Sequence, residues 1–163
     1  MIEYRQRNYS WEDPLKGINQ AKNITGLEYL KGIFAGSIAA PPIFNTVDFK
    51  VISVEKGQVI FEFHPKEFHY NPVGSVHGGI VTTILDSAIG CSLLSTLPVK
   101  TTFTTLDLKI NFVAKINTKT PVLKTHTKII HQGKTTALLE ADLIDNNGKV
   151  YAHTVSTCMI LPI

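Results

Sequence analysis

From His77 to about Ser95 the chain reads as a helix with almost no water-facing side. Ile80, Val81, Ile84, Leu85, Ala88 and Ile89 recur at i, i+1, i+4, i+5, i+8 and i+9, the spacing of one helical face. Thr82, Asp86, Gly90 and Leu93 fall on the other side, and Asp86 is the single acid of the stretch. A helix without a charged face has to be enclosed by other elements. That limits the chain to plans in which one buried helix is wrapped by the rest.

The flanking segments supply strands. A first runs from about Asn45 to Val54, breaks at Glu55-Lys56-Gly57, and is followed by a second from Gln58 to His64 with Phe61 and Phe63 on one face. The loop Pro65–Ser75 is rich in Pro, Gly and Asn. After the helix, Leu106, Leu108, Ile110 and Phe112 alternate with Asp107, Lys109 and Asn111. Strands over 121–130, 135–144 and 150–160 complete the count, and Asp145-Asn146-Asn147-Gly148 is a hairpin signal. Two strands, one helix and four strands predict an α+β fold, with an antiparallel sheet of about six strands around the helix. Uncovered sheet edges point to self-association.

Residues 1–40 read as an N-terminal arm and helical extension, and 41–163 as the main domain. Asn23 or Thr25 is placed to cap a helix near Gly26, with Leu27, Leu30, Ile33 and Phe34 at helical spacing. Pro41-Pro42 is expected to end that helical region.

Composition removes several function classes. A formal charge of +3, spread without blocks, argues against nucleic acid. Cys91 and Cys158 stand far apart and read as reduced thiols. The histidines (His64, His69, His77, His126, His131, His153) pair with no Cys or acid at ligand spacing, so no metal is expected. There is no phosphate loop or dinucleotide fingerprint, and no cofactor is expected. The polar N-terminus lacks the apolar core of a signal peptide, and no apolar run would span a bilayer. The expectation is a cytoplasmic protein without membrane contact.

Three strings then stand out: His77-Gly78-Gly79, Leu85-Asp86-Ser87-Ala88-Ile89-Gly90, and Thr105 through Phe112. Together they resemble the hotdog-fold acyl-CoA thioesterases, in particular the PaaI-like group of the thioesterase superfamily. The resemblance covers roughly Asn45 to Ile160, and residues 1–40 exceed that family's usual N-terminus. It implies a hotdog fold and hydrolysis of an acyl-CoA or aryl-CoA thioester to acid and CoA. It also implies sites at a dimer interface, commonly within a homotetramer of two dimers.

The resemblance assigns roles residue by residue. Gly78 supplies a backbone amide to the oxyanion, beside Gly79; the bland alternative is a tight loop-to-helix turn. Asp86 is nucleophile or general base, because a carboxylate in an apolar helix is costly without partners and Thr82, Thr83 and Gly90 offer it no cation. Asn71 is the polar loop residue, or simply an Asn-Pro turn. Thr105 is the hydroxyl that positions water, although its neighbour Thr104 has the apolar-face phase. His77 orients the loop and contacts substrate. Lys134, like Lys100, meets CoA phosphates or is a solvated turn lysine. Ser37, Ser75 and Ser87 lie in no nucleophile motif.

Gly78 and Asp86 are eight residues apart, which is ~12 Å along a helix. One carbonyl carbon cannot touch both, so a shared site needs Asp86 from a neighbouring subunit. Two other functions compete: a hotdog module that binds acyl-CoA without turnover, and a hotdog dehydratase. The dehydratase needs an acid–histidine pair that the sequence does not display.

Overall fold

A computed structural model describes residues 3–163, so Met1 and Ile2 of the predicted arm lie outside the described residues. Three short helices come first: α1 (Pro14–Ala21), α2 (Gly26–Ala35) and α3 (Pro42–Val47). Asp13 accepts from the Leu15 N–H to cap α1, and Pro14 occupies a first-turn position where no N–H is needed. Thr25, not Asn23, caps α2. Its Oγ1 accepts from the Glu28 N–H while the Glu28 carboxylate accepts from the Thr25 N–H, a capping box. Pro42 does not end the helical region; it opens α3, because its fixed φ suits a first helical turn. α3 takes Asn45–Val47 from the predicted first strand, and Asp48, in left-handed conformation, turns the chain into β1 (Phe49–Glu55).

β2 (Gln58–Phe63) precedes α4 (Gly78–Leu94). Five strands follow: β3 (Thr101–Thr105), β4 (Lys109–Phe112), β5 (Leu123–Gln132), β6 (Thr136–Asp145) and β7 (Val150–Pro162). The pairs are antiparallel, in the order β1-β2-β5-β6-β7-β3, with β4 also on β7. The sheet therefore has seven strands rather than about six. The difference is a β-bulge inside what reads as one strand. Leu106–Leu108 oppose only Ser156 and Thr157, and the N–H groups of Leu106 and Asp107 both donate to the Thr157 carbonyl. Asp107 Oδ1 accepts from the Thr157 N–H and holds the bulge.

The extra residue changes which side chains point inward. Before it, Phe103 and Thr105 reach α4; after it, Phe112 does, and Ile110 packs on the core. Leu106, expected on the inner face, is 51% exposed. Thr105 thereby takes the inward place that simple alternation gives to Thr104, which is exposed.

α4 lies in the concave face of the sheet. Val81, Ile84, Leu85, Ala88, Ile89 and Leu93 are buried among Phe61, Phe63, Leu123, Leu139 and Leu143. Admitting the helix parts two strands, since β2 pairs β5 only at Glu62–Lys124 and Phe63–Leu123. The N–H groups of Gly57, Val59 and Phe61 donate instead to Ser95 Oγ (2.7 Å), Ser92 Oγ (3.0 Å) and Thr125 Oγ1 (2.9 Å). All three hydroxyls belong to buried residues. The enclosure of α4 is less complete than its sequence suggests. Gly79 is exposed and Thr83 and Ser87 are half-buried. The two hydroxyls donate to the carbonyls four residues back, at 2.9 and 2.8 Å. Among the described residues no helix is long and apolar enough to cross a membrane.

The start of α4 is fixed by a buried histidine. His69, in the short turn Glu67–His69, donates from Nε2 to the Val47 carbonyl (2.8 Å) and accepts at Nδ1 from the Lys66 N–H (3.0 Å). Its own carbonyl accepts from the His77 N–H at 2.8 Å. An Nδ1 that must accept cannot carry a proton, so the ring is held neutral. Burial, the largest influence, pushes its pKa below the ordinary 6.5, against the pull of the Val47 carbonyl.

Two outcomes are expected. Ser92→Ala strands the buried Val59 N–H and lowers stability by about 1–3 kcal/mol, whereas Ser87→Ala stays within about 0.5 kcal/mol. Urea unfolding with unchanged slope measures both. For His69 the unfolded chain binds more protons than the folded one between the depressed pKa and 6.5. Stability contributed by the neutral ring is thus complete above that pH and declines as pH falls below it. Unfolding midpoints across mildly acidic pH should show this slope, and His69→Gln should flatten it.

Candidate functional site

The polar loop ahead of α4 is a self-contained knot. Asn71 Oδ1 accepts from the N–H groups of Val73 (3.0 Å) and Ser75 (3.1 Å), and its Nδ2 donates to Ser75 Oγ (3.1 Å). The side chain therefore shapes the loop. It also lines a cavity of about 420 Å³ with Ser75, Gly78, Phe112, Lys115 and Ile116.

His77 is the N-cap of α4. Its Nδ1 accepts from the Gly79 N–H at 2.9 Å, the part usually taken by a Ser or Asn oxygen. The Gly79 amide is thus engaged by the ring. The Gly78 N–H precedes the first internal helix bond and has no hydrogen-bond partner among the described residues. It lies at the positive end of a helix of 17 residues. The Phe112 ring closes over it so tightly that a Cβ on Gly78 would lie 2.9 Å from the ring.

Two turns further along, Asp86 is half-buried. Thr105 Oγ1 donates to its Oδ1 at 2.9 Å, and among the described residues no cation forms an ion pair with it. The nearby thiols are poor nucleophiles. Burial, with the Asp86 charge adding, pushes Cys91 up to about 12. Burial also raises Cys158, which pairs with Thr105 across the sheet. The chemical possibilities therefore rest on the carboxylate, its threonine partner and, ~12 Å away along the same helix, an unengaged amide.

Lys134 lies elsewhere in the chain. It sits in the β5–β6 turn, exposed, beside Gln132, whose Oε1 accepts from Thr96 Oγ1 just past the C-terminal end of α4. Within one chain it is thus at the opposite end of the helix from Gly78. Among the described residues no cluster of His, Cys, Asp and Glu is arranged to hold a metal.

Sequence reasoning missed three features. Phe112 over Gly78 and Phe103 against Gly90 required the bulge to be known. An acid–histidine pair does exist: His153 Nδ1 lies 2.8 Å from Asp142 Oδ1, on facing positions of β6 and β7. Counting outward from the Asp145–Gly148 hairpin does not find it, because the register shifts between Ile144 and Leu143 and moves His153 into the place that a regular ladder gives to Ala152. The pair belongs to the half-buried positions that alternate with the core-facing Ala141, Leu143, Ala152 and Thr154, so it faces away from α4.

Comparison with known proteins agrees with this architecture. The family model described as "Thioesterase superfamily" matches residues 73–152. A Saccharolobus solfataricus protein with a provisional esterase name, SSO2140, is 31% identical over 92% of this chain and 94% of its own length. Mouse acyl-coenzyme A thioesterase 13 is 33% identical over 69% of this chain and 81% of its own. The E. coli PaaI protein from the phenylacetic acid degradation operon superposes with a TM-score of 0.71 at 15% identity, covering 85% of this chain and 96% of that one. The long helix wrapped by an antiparallel sheet is the hotdog fold, and the chain belongs to the thioesterase superfamily.

Proposed function

We propose that this hydrolase cleaves an acyl-CoA thioester to a free acid and CoA, with Asp86 as the group that acts on the attacking water or on the carbonyl itself. The observation that carries the reading is the state of Asp86. It is a half-buried carboxylate with no cation partner among the described residues, held by a single hydroxyl in an otherwise uncharged helix. A structural role would call for partners that it lacks. As a base it takes a proton from water that Thr105 helps to place, and the water oxygen bonds to the carbonyl carbon. The oxyanion accepts from the Gly78 N–H, the C–S bond breaks, and the CoA thiolate leaves with the proton. As a nucleophile the same carboxylate attacks the carbonyl carbon, the C–S bond breaks with loss of the CoA thiolate, and water hydrolyses the resulting anhydride to the free acid and Asp86. The CoA substrate class is also that in the name of the mouse relative.

The site is composite in this proposal. Asp86 of one subunit meets Gly78 of the partner subunit across a two-fold axis, in a homodimer or in a homotetramer of two such dimers. Three features support it. The helix separates the two groups by ~12 Å within one chain. β3 ends the sheet, and Leu106, Phe112 and Val113 near that edge are 51%, 55% and 63% exposed. The Gly79–Thr83–Ser87 strip of α4 has hydroxyls already satisfied internally, so another helix can cover it without leaving donors unpaired. Antiparallel helices also bring Lys134 toward Gly78 of the partner subunit, where it can meet CoA phosphates. Asn71 and His77 then serve by shaping the loop and the helix start, and Gly79 by leaving room for substrate.

Asp86→Asn is expected to lower kcat by about 10²–10⁴-fold with acyl-CoA binding kept. Thiol release from a panel of acyl-CoA and aryl-CoA substrates measures it. Binding without thiol release by the wild-type protein would replace the enzyme with a binding module. Gly78→Pro removes the N–H at a position where a helix tolerates proline, and its ring carbons also displace the Phe112 ring that lies over Gly78. Refolding it together with Asp86→Asn should restore activity that neither has alone; no recovery would overturn the composite site.

A further inference from the structure

The packed seam between α4 and β3 continues past Asp86. On α4, Asp86, Gly90 and Leu94 follow along one face. On β3, Thr105, Phe103 and Thr101 follow at alternate positions in the opposite direction. They meet in order. Thr105 bonds Asp86. The Phe103 ring lies so close to Gly90 that a Cβ there would fall 2.4 Å from it. Thr101 and Leu94 then share the wall of a chamber of about 240 Å³. The opposite wall is the N-terminal extension, through Ile18, Ala21, Ile24 and Tyr29, and Ile163 closes it from the C-terminus. α2 is set firmly against α4 there. The Gly26 N–H donates to the Leu97 carbonyl at 3.2 Å, and a Cβ on Gly26 would lie 1.9 Å from the Leu94 carbonyl oxygen.

We infer that this chamber receives the far end of a medium-chain acyl group whose thioester carbon lies at Asp86, and that the Phe103 ring, which must swing off Gly90 to let the chain pass, divides short chains from those that reach it. The inference rests on the thioesterase reading of Asp86 and names its substrate class. Asp86 and Leu94 are ~12 Å apart along the helix. An extended chain advances ~1.2 Å per bond, as a polypeptide spans ~3.6 Å in three. About ten bonds therefore connect the carbonyl to the chamber, which corresponds to acyl groups of roughly eight to twelve carbons. The volume suits several terminal carbons, since an apolar cavity of about 150 Å³ holds benzene. The isoleucine, leucine and alanine side chains offer the tail burial from water. A two- or four-carbon acyl group stops before Phe103 and gains nothing from the chamber.

The test compares binding of the non-hydrolysable thioether S-decyl-CoA with that of CoA by calorimetry, using wild type, Ala21→Phe and Ile24→Trp. Both substitutions fill the chamber from the extension, far from Asp86 and Gly78. Wild type should bind S-decyl-CoA about tenfold or more tighter than CoA. Each variant should lose most of that gain with CoA affinity unchanged, and the ratio of decanoyl-CoA to acetyl-CoA hydrolysis should fall with it. Phe103→Ala should raise that ratio. A decyl gain that is missing in wild type, or survives in both chamber variants, overturns the inference. Because binding needs no turnover, the two readings separate. Thiol release without a decyl gain removes the chamber alone; a chamber-dependent gain without thiol release removes the hydrolase reading alone.

Discussion

An antiparallel sheet can enclose a helix lined with Val81, Ile84, Leu85 and Ile89 only by curling around it, and here the curl separates β2 from most of β5. The Val59 and Phe61 amides left behind are buried, that of Gly57 is part-buried, and a buried one would carry a desolvation penalty of about 1–3 kcal/mol if unpaired. Ser92 and Ser95 on the helix and Thr125 on β5 fill the gap. The polar residues among the apolar ones of α4 therefore have a structural purpose toward its C-terminal end. They fasten the helix to the opened sheet, and so fix its position along its axis.

That fastening distinguishes Asp86 from its polar neighbours. The serines find backbone partners in the sheet or in their own helix, whereas the Asp86 carboxylate has one threonine. At the other end His69 and His77 set the first turn through a chain of neutral hydrogen bonds, leaving the Gly78 amide unengaged. Both ends of α4 are thus rigidly held, and the interval between amide and carboxylate is as invariant as the helix itself. Any ligand that uses both must meet two copies of this interval.

What the sequence revealed and what it hid divide along physical lines. α4 was legible because 3.6-residue periodicity without charge has few other meanings, and Asp86 because it interrupts that pattern. The Asp145–Gly148 turn announced itself through residues that tolerate left-handed backbone, Gly148 among them. α3 was hidden because Pro42 begins helices as readily as it follows them. The bulge was hidden because Leu106 is apolar yet exposed at the sheet edge, so hydrophobic alternation continued smoothly through it. Ser92 and Ser95 gave no signal, since the gap they fill exists only after the sheet has closed.

The bulge at Leu106–Leu108 also governs what change the chain can tolerate. Thr105 and Phe112 sit at opposite parities of the edge, yet both reach α4 because one residue more than the partner strand requires lies between them. Losing that residue would leave the strand paired and its composition nearly intact while exchanging inside for outside along one of its halves. When related chains are aligned, a single gap here therefore separates proteins whose pockets have been turned inside out, however alike their letters remain.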